Sequence, residues 1–288
     1  MPDTDDQPYA AWIGRQQSDR DRLTPEHAFR WCATFDLERP SDGIMPQGIH
    51  FALCTPQARS DTLGEDGHPA RDDSTSSFLP PFPMPRRMWA SSAIQFVAPI
   101  ALGAAIKRTS RVISIKEKEG GSGKLAFVDV EHEVSADGRL SVRETKTLVY
   151  RDAAASDVPL SPPELAGTTF DPAEWEAHRA LTPDPRLLFR YSALTFNTHR
   201  IHYDAPYARD VERYRGLVVH GPLTASLLLQ LAANELGENA LRTFKFRGMS
   251  PAIAGEPIHL VMRKTDDGFE LGAFAEDGRQ VMKASASI

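Results

Sequence analysis

Residues 222–236, PLTASLLLQLAANEL, carry apolar side chains over most of a helix circumference through Leu223, Leu227, Leu228, Leu229, Leu231, Ala232 and Leu236. A helix apolar nearly all round has to be covered on every side. Pro222 fits its first turn, where a missing N–H costs nothing. Strand-like segments follow it: TFKFRGM, IHLVMRK, FELGAFAE and QVMKASASI, with Asp267-Gly268 and Asp277-Gly278 as hairpin turns. One long buried helix followed by an antiparallel meander predicts an α+β unit in which a sheet wraps around the helix. A strand near 174–182 and a short helix near 184–194 precede it.

The first half of the chain shows the same plan with a poorer helix. Residues 24–38, TPEHAFRWCATFDLE, read as a helix with Thr24 as N-cap and Pro25 in the first turn. From Met88 the period changes to two, and 88–151 reads as an antiparallel sheet of about four strands. Asp137-Gly138 closes its last hairpin, and Gly120-Gly121-Ser122-Gly123 the one before. The latter resembles a piece of a phosphate loop, but Leu125 stands where Ser or Thr is needed, so it is a turn. Residues 59–85 have no apolar period and hold Pro80, Pro81, Pro83 and Pro85, which predicts a long loop of the kind that forms a lid or mobile segment. Residues 152–172, rich in Pro, Ala and Ser, read as a linker. The expected organisation is therefore 1–151, a linker at 152–172, and 173–288.

The 288 residues carry a formal net charge of −6, which argues against non-specific nucleic-acid binding but not against an anionic small molecule. No run approaches the roughly 20 apolar residues of a membrane span, and the acidic start MPDTDDQPYAAW is unlike a signal or transit peptide. A cytoplasmic protein is expected. Cys32 and Cys54 are too few for a disulfide scaffold or a structural zinc site and read as core thiols.

Chemistry concentrates in two places. Asn197-Thr198-His199-Arg200-Ile201-His202-Tyr203-Asp204 places two imidazoles beside an amide, a guanidinium and a carboxylate, groups that are costly to bury unless paired or used. His199, His202 and His220 could give three imidazoles to zinc, but there is no HExxH helix and no second carboxylate at zinc spacing, so no metal is expected. The second place is His220-Gly221-Pro222 at the mouth of the buried helix. Gly221 admits close approach to the backbone, and a free N–H at a helix start suits a developing oxyanion.

These segments, YSALTFNTHRIHYD at 191–204 and YRGLVVHGPLTASLLLQLA at 214–232, resemble the MaoC-like, type 2 hydroxyacyl-thioester dehydratases. PFPMPRRMWASSAIQF and KEKEGGSGKLAFVDVEHEV are similar to the first half of the two-domain members. The resemblance implies a double hot-dog fold, with two antiparallel sheets each wrapped around a helix, an N-terminal copy that is degenerate, and a hydratase domain at 173–288. It implies a hydro-lyase that adds water to, or removes it from, an α,β-unsaturated acyl-CoA. In single-domain members the active loop is Asp-x-Asn-Pro-x-His, so His202 falls on the histidine, His199 on the asparagine and Asn197 on the aspartate. An amide orients water but cannot take its proton. The second proton-transfer group is therefore open, with His199 first and Asp204 second. Ile49-His50 stands where relatives often carry Trp-His.

The expected roles follow. His202 is general acid/base, Asn197 orients water, and the Gly221 N–H holds the thioester oxygen. Tyr191, Arg200, Arg215 and His220 bind substrate, the arginines supplying a cation for a C5 dicarboxylyl group such as mesaconyl-C4-CoA or itaconyl-CoA. CoA belongs to the substrate, so no separate cofactor is expected. A straight-chain enoyl-CoA, a thioesterase and a non-catalytic acyl-CoA-binding subunit are the alternatives. Hot dogs pair through sheet edges, and a two-domain chain already satisfies one such pairing; a homodimer is expected beyond that.

Overall fold

The computed structural model describes residues 8–120, 123–155, 157–167 and 169–288. Gly121 and Ser122 of the glycine-rich turn, and the first residues of the acidic N-terminus, lie outside them. The chain opens with β1 (Gln16–Arg22), α1 (Pro25–Thr34), β2 (Arg86–Phe96), β3 (Ala105–Gly120), β4 (Gly123–Ala136) and β5 (Arg139–Arg151). The second half holds β6 (Ala177–Leu181), α2 (Pro185–Thr195), α3 (Ala205–Asp210), α4 (Gly221–Leu236), β7 (Thr243–Gly248), β8 (Ile258–Thr265), β9 (Gly268–Ala275) and β10 (Gln280–Ser287).

Local chemistry sets the boundaries. Thr24 Oγ1 accepts from the His27 N–H at the start of α1, and Asp184 caps α2 in the same way through the Leu187 N–H, each followed by Pro at the first helical position. Asp137 and Gly138, at φ 49° and 81°, make the tight hairpin between β4 and β5. In α4 every residue from Leu223 to Ala232 is buried, as a helix without a polar face requires. Both cysteines are free and buried. Among the described residues no helix is long and apolar enough to cross a membrane.

The two sheets of the expected double hot dog join edge to edge as one ten-stranded sheet in the order β1-β3-β4-β5-β2-β7-β10-β9-β8-β6, where Ser91–Gln95 of β2 pair with Thr243–Arg247 of β7. Two features differ from the sequence expectation. The first half does not hold a poorer version of the long helix. Its α1 is the counterpart of α2, against which it packs through Trp31 and Phe35 on Tyr191. The place of α4 is taken by a single 3-10 turn, Ile49–Ala52. Cys54 at φ 51° and Pro56 stop that turn from extending. Gly48, at φ 104°, packs it against Leu229 and Ser226 of α4, so one long helix serves both halves. The strand β1 has no counterpart in the sequence reading, because QQSDRDR is an almost wholly polar edge with no alternation to detect.

Candidate active site

The histidine motif forms a 3-10 turn, Arg200–His202, between α2 and α3. The His202 Nδ1–H donates to the Val218 carbonyl at 2.7 Å. That bond fixes the tautomer and leaves Nε2 with its lone pair free. His220 lies flat against it, with ring centroids 3.6 Å apart and planes 19° apart, and His220 Nε2 meets Ser192 Oγ at 2.9 Å. His199 stands edge-on to His202 at 5.4 Å. Burial pushes His202 and His199 down to about 3 and lowers His220 as well, so all are neutral imidazoles at pH 7.

The Asn197 Oδ1 accepts from the His199 N–H at 2.9 Å, which turns the amide NH2 toward other partners. His220 is the N-cap of α4 and Gly221 its first residue, so the Gly221 N–H has no acceptor within the helix. A Cβ built on Gly221 would meet nothing within 4 Å. Open space therefore lies beside a donor at the positive end of a sixteen-residue helix.

The structure does not bring the two expected arginines to this point. Arg200 gives Nε and Nη2 to the Asp204 carboxylate at 3.0 and 2.7 Å, gives Nη1 to the Glu65 carbonyl, and stacks on Tyr207. Asp204, the runner-up proton group, is occupied by that pair and by capping α3 through the Tyr207 N–H. Arg215 is held by Glu256 and the Pro162 carbonyl. Tyr191 is 0% exposed and lies 5.0 Å from the His220 ring.

Two residues that the sequence reading missed come from the loop at 59–85. That loop is tied down and is not a free lid. The Arg200 N–H donates to the Asp66 carbonyl at 2.9 Å, and the Thr198 hydroxyl to the Gly67 carbonyl. Asp66 Oδ1 accepts from the His68 N–H at 2.9 Å, and Oδ2 lies 3.0 Å from His68 Nδ1. The His68 ring rests on His199, with centroids 4.1 Å apart. Potential ligand atoms of Asp66, His68 and His199 lie within 4.8 Å of one another, and Asp66 Oδ2 meets His68 Nδ1 at 3.0 Å. A signal existed only in part: Asp66-Gly67-His68 is a polar turn whose partner lies some 130 residues away. Gly67, at φ 85°, has no room for a side chain, since a Cβ would stand 1.9 Å from the Thr198 carbonyl oxygen. Gly67→Ala is expected to peel the loop from the motif, lowering kcat at least 10-fold and costing about 2 kcal/mol in a urea titration. Unchanged values in both would show that the loop has no part in the site.

Beyond Tyr191, the concave face of the first half is polar where α4 has no counterpart. Register places Ser92 and Lys146 opposite one another, and Ile94, Glu144, His132 and Ser110 in the next row of the same face. Ser92 Oγ donates to Glu144 at 2.5 Å, Ser110 Oγ lies 2.7 Å from His132 Nδ1, and the Lys146 ammonium sits 3.7 Å over the Trp89 ring. Among the described residues Lys146 has no carboxylate within ion-pair distance. Burial would raise Glu144, yet Lys146, His50, His132 and the Ser92 hydroxyl hold it below the ordinary carboxylate range. The Tyr191 phenol, raised chiefly by burial, also feels the Glu144 charge. A cavity of about 320 Å³, lined by Gly48, Ile49, His50, Phe96 and Val142, opens at its end.

A free imidazole nitrogen, a side-chain amide and an N–H beside open space are groups that can hold a water, take a proton and stabilise charge on an oxygen. The hydroxyacyl-thioester dehydratase type 2 family model matches residues 48–254, and the chain belongs to that family. A mesaconyl-C4-CoA hydratase of Chloroflexus aurantiacus is 39% identical over 97% of this chain and 98% of its own length. A mitochondrial hydroxyacyl-thioester dehydratase type 2 of Schizosaccharomyces pombe is 27% identical over 81% of this chain and 82% of its own. HtdX of Mycobacterium tuberculosis, 19% identical, superposes over 95% of this chain and 99% of its own with a TM-score of 0.67, and another solved neighbour has a double hot-dog fold. The fold is the double hot dog, and the chain is a hydro-lyase acting on acyl thioesters.

Proposed function

We propose that the chain hydrates a C5 dicarboxylyl-CoA, with mesaconyl-C4-CoA the first choice and itaconyl-CoA the second. The 39% identity to the Chloroflexus mesaconyl-C4-CoA hydratase across almost both chains carries this reading. The polar face of the first half supports it, because a straight alkyl chain favours apolar walls whereas Lys146 offers a cation to a carboxylate.

In hydration, His202 Nε2 takes a proton from water as the water oxygen bonds the β-carbon. The Asn197 amide orients that water. The π-electron pair moves toward the α-carbon, the thioester oxygen gathers charge, and the Gly221 N–H with the α4 dipole stabilises it. The α-carbon then takes a proton, so water is added with no net proton gained. Dehydration runs the same steps backward. CoA enters and leaves with the substrate, and these residues call for no other cofactor.

An absorbance assay with mesaconyl-C4-CoA, itaconyl-CoA and crotonyl-CoA tests the reading. Loss of enoyl absorbance on a C5 thioester, without release of free CoA, is expected. Turnover of crotonyl-CoA alone would reject the dicarboxylate, and CoA release would indicate a thioesterase. Lys146→Met is expected to raise KM for the C5 thioester about 10-fold or more while leaving crotonyl-CoA within a few-fold. Equal effects on both substrates would remove Lys146 from acyl recognition.

A further inference from the structure

His202 and His220 are stacked, buried and neutral, His199 stands edge-on to His202 and is neutral too, and the reaction must charge one of the three. An imidazolium in such a place is unfavourable without a nearby anion. The nearby carboxylates are mostly engaged elsewhere. Asp204 is bound by Arg200 and caps α3, and Glu212 pairs with Arg86. Beyond burial, His199 is lowered by the charges of His68, His220 and Arg86 and raised by that of Asp66. Asp66 remains, and its carboxylate is joined to His199 by a hydrogen bond and a ring contact through His68.

We infer that Asp66, acting through His68, supplies the counter-charge for the imidazolium that forms at His199 and His202, the part that a carboxylate at position 197 would otherwise play. The inference rests on the hydratase reading given above. The geometry is specific. Both Asp66 oxygens are used on His68, Oδ1 anchoring its backbone N–H and Oδ2 alone facing the ring at Nδ1. The ring is then pressed on His199 by a turn that the Arg200 N–H and the Thr198 hydroxyl hold in place. Burial would raise the Asp66 carboxyl, but the hydrogen bond and charge of His68 dominate and pull it well below the usual range. It is therefore ionised throughout the working pH range.

On its outer side His68 faces a cavity of about 370 Å³ that also meets Arg71, Arg86, Arg87, Tyr207, Glu65 and Glu212. Arg71 is bonded to the Phe82 and Met84 carbonyls, and Arg86 to Glu212. These groups fix the field around the pair without offering an anion to the imidazoles. Asp66 exchanges no proton with substrate. The water proton passes to His202, and the α-carbon receives one from the imidazole pair. Asp66 and His68 are positioning residues.

Asp66→Asn tests this, because the amide keeps the size, the backbone bond to Arg200 and an acceptor for the His68 N–H. Against an active wild type, kcat is expected to fall about 100-fold with KM nearly unchanged. In the dehydration direction the alkaline limb of the pH profile is expected to move to lower pH, because the imidazolium has lost its anion. Adding Asn197→Asp to the Asp66→Asn variant returns a carboxylate from the other side and is expected to restore at least 10-fold. A kcat within threefold of wild type, an unmoved pH limb, or no rescue by Asn197→Asp in a folded double variant would overturn the inference. Loss of activity on adding EDTA, reversed by a divalent ion, would overturn it too. A wild type silent on every enoyl thioester would overturn the hydratase reading and this inference together.

Discussion

Replacing His202 with alanine is expected to lower kcat by about 10³-fold on whichever enoyl thioester the wild type hydrates. His202 is the imidazole whose tautomer is set by a main-chain carbonyl, at 2.7 Å from Val218, so its free Nε2 has a defined direction. Alanine also leaves that carbonyl unpaired and a gap against His220, which costs about 1–3 kcal/mol of stability. His202→Asn separates the two effects. Its amide can donate to Val218 but has no basic nitrogen, so the fold is expected to recover while kcat does not. Activity within tenfold of wild type in either variant would mean that another group is the base.

Acid is expected to unfold the protein unusually early. His50 is pushed by burial to about 4, His132 and His199 to about 3, and His202 to about 3, while His220 is lowered in the same direction. In the unfolded chain each titrates near the ordinary value of about 6.5. Between those two values the unfolded state binds protons that the folded state refuses, so stability rises with pH and is lost as pH falls below about 6.5. Each such histidine costs roughly 1–2 kcal/mol between pH 7 and pH 5. Together they rival the whole stability of an ordinary domain, about 5–15 kcal/mol. Asp66 and Glu144, both held below their ordinary range, add losses of the same sign at lower pH. Urea titrations at pH 7, 6 and 5 measure this directly. A midpoint that stays flat across that range would show that these imidazoles are charged in the folded protein.

What the sequence made legible was whatever lies close together along it. Asn197, His199, His202 and Gly221 fall within one loop and the helix it leads into, and α4 announces itself by having no polar face. Most strands were legible through alternation, whereas β1 carries charges on both sides and has none. Asp66 and His68 sit in a proline-rich stretch with no period, and their importance comes from a contact with a segment far down the chain. Arg200 and Arg215 show the converse. They neighbour the motif in sequence, but a long side chain goes where its carboxylate is, and Asp204 and Glu256 hold these two. The missing helix of the first half was hidden because α1 is a good helix in its own right, with cap and proline in order, and occupies the place of a different element.

The single sheet bears on symmetry. Were the seam between β2 and β7 formed by two identical subunits related by a twofold axis, any change to one half would be made to both. Deleting a helix to enlarge one chamber would delete the other, along with the oxyanion donor at its start. Joining the halves in one polypeptide removes that constraint. One half keeps the long helix and the histidine motif beside it, the other has a short turn in that place, and among the described residues the chain has one such helix start where a symmetric pair would have two.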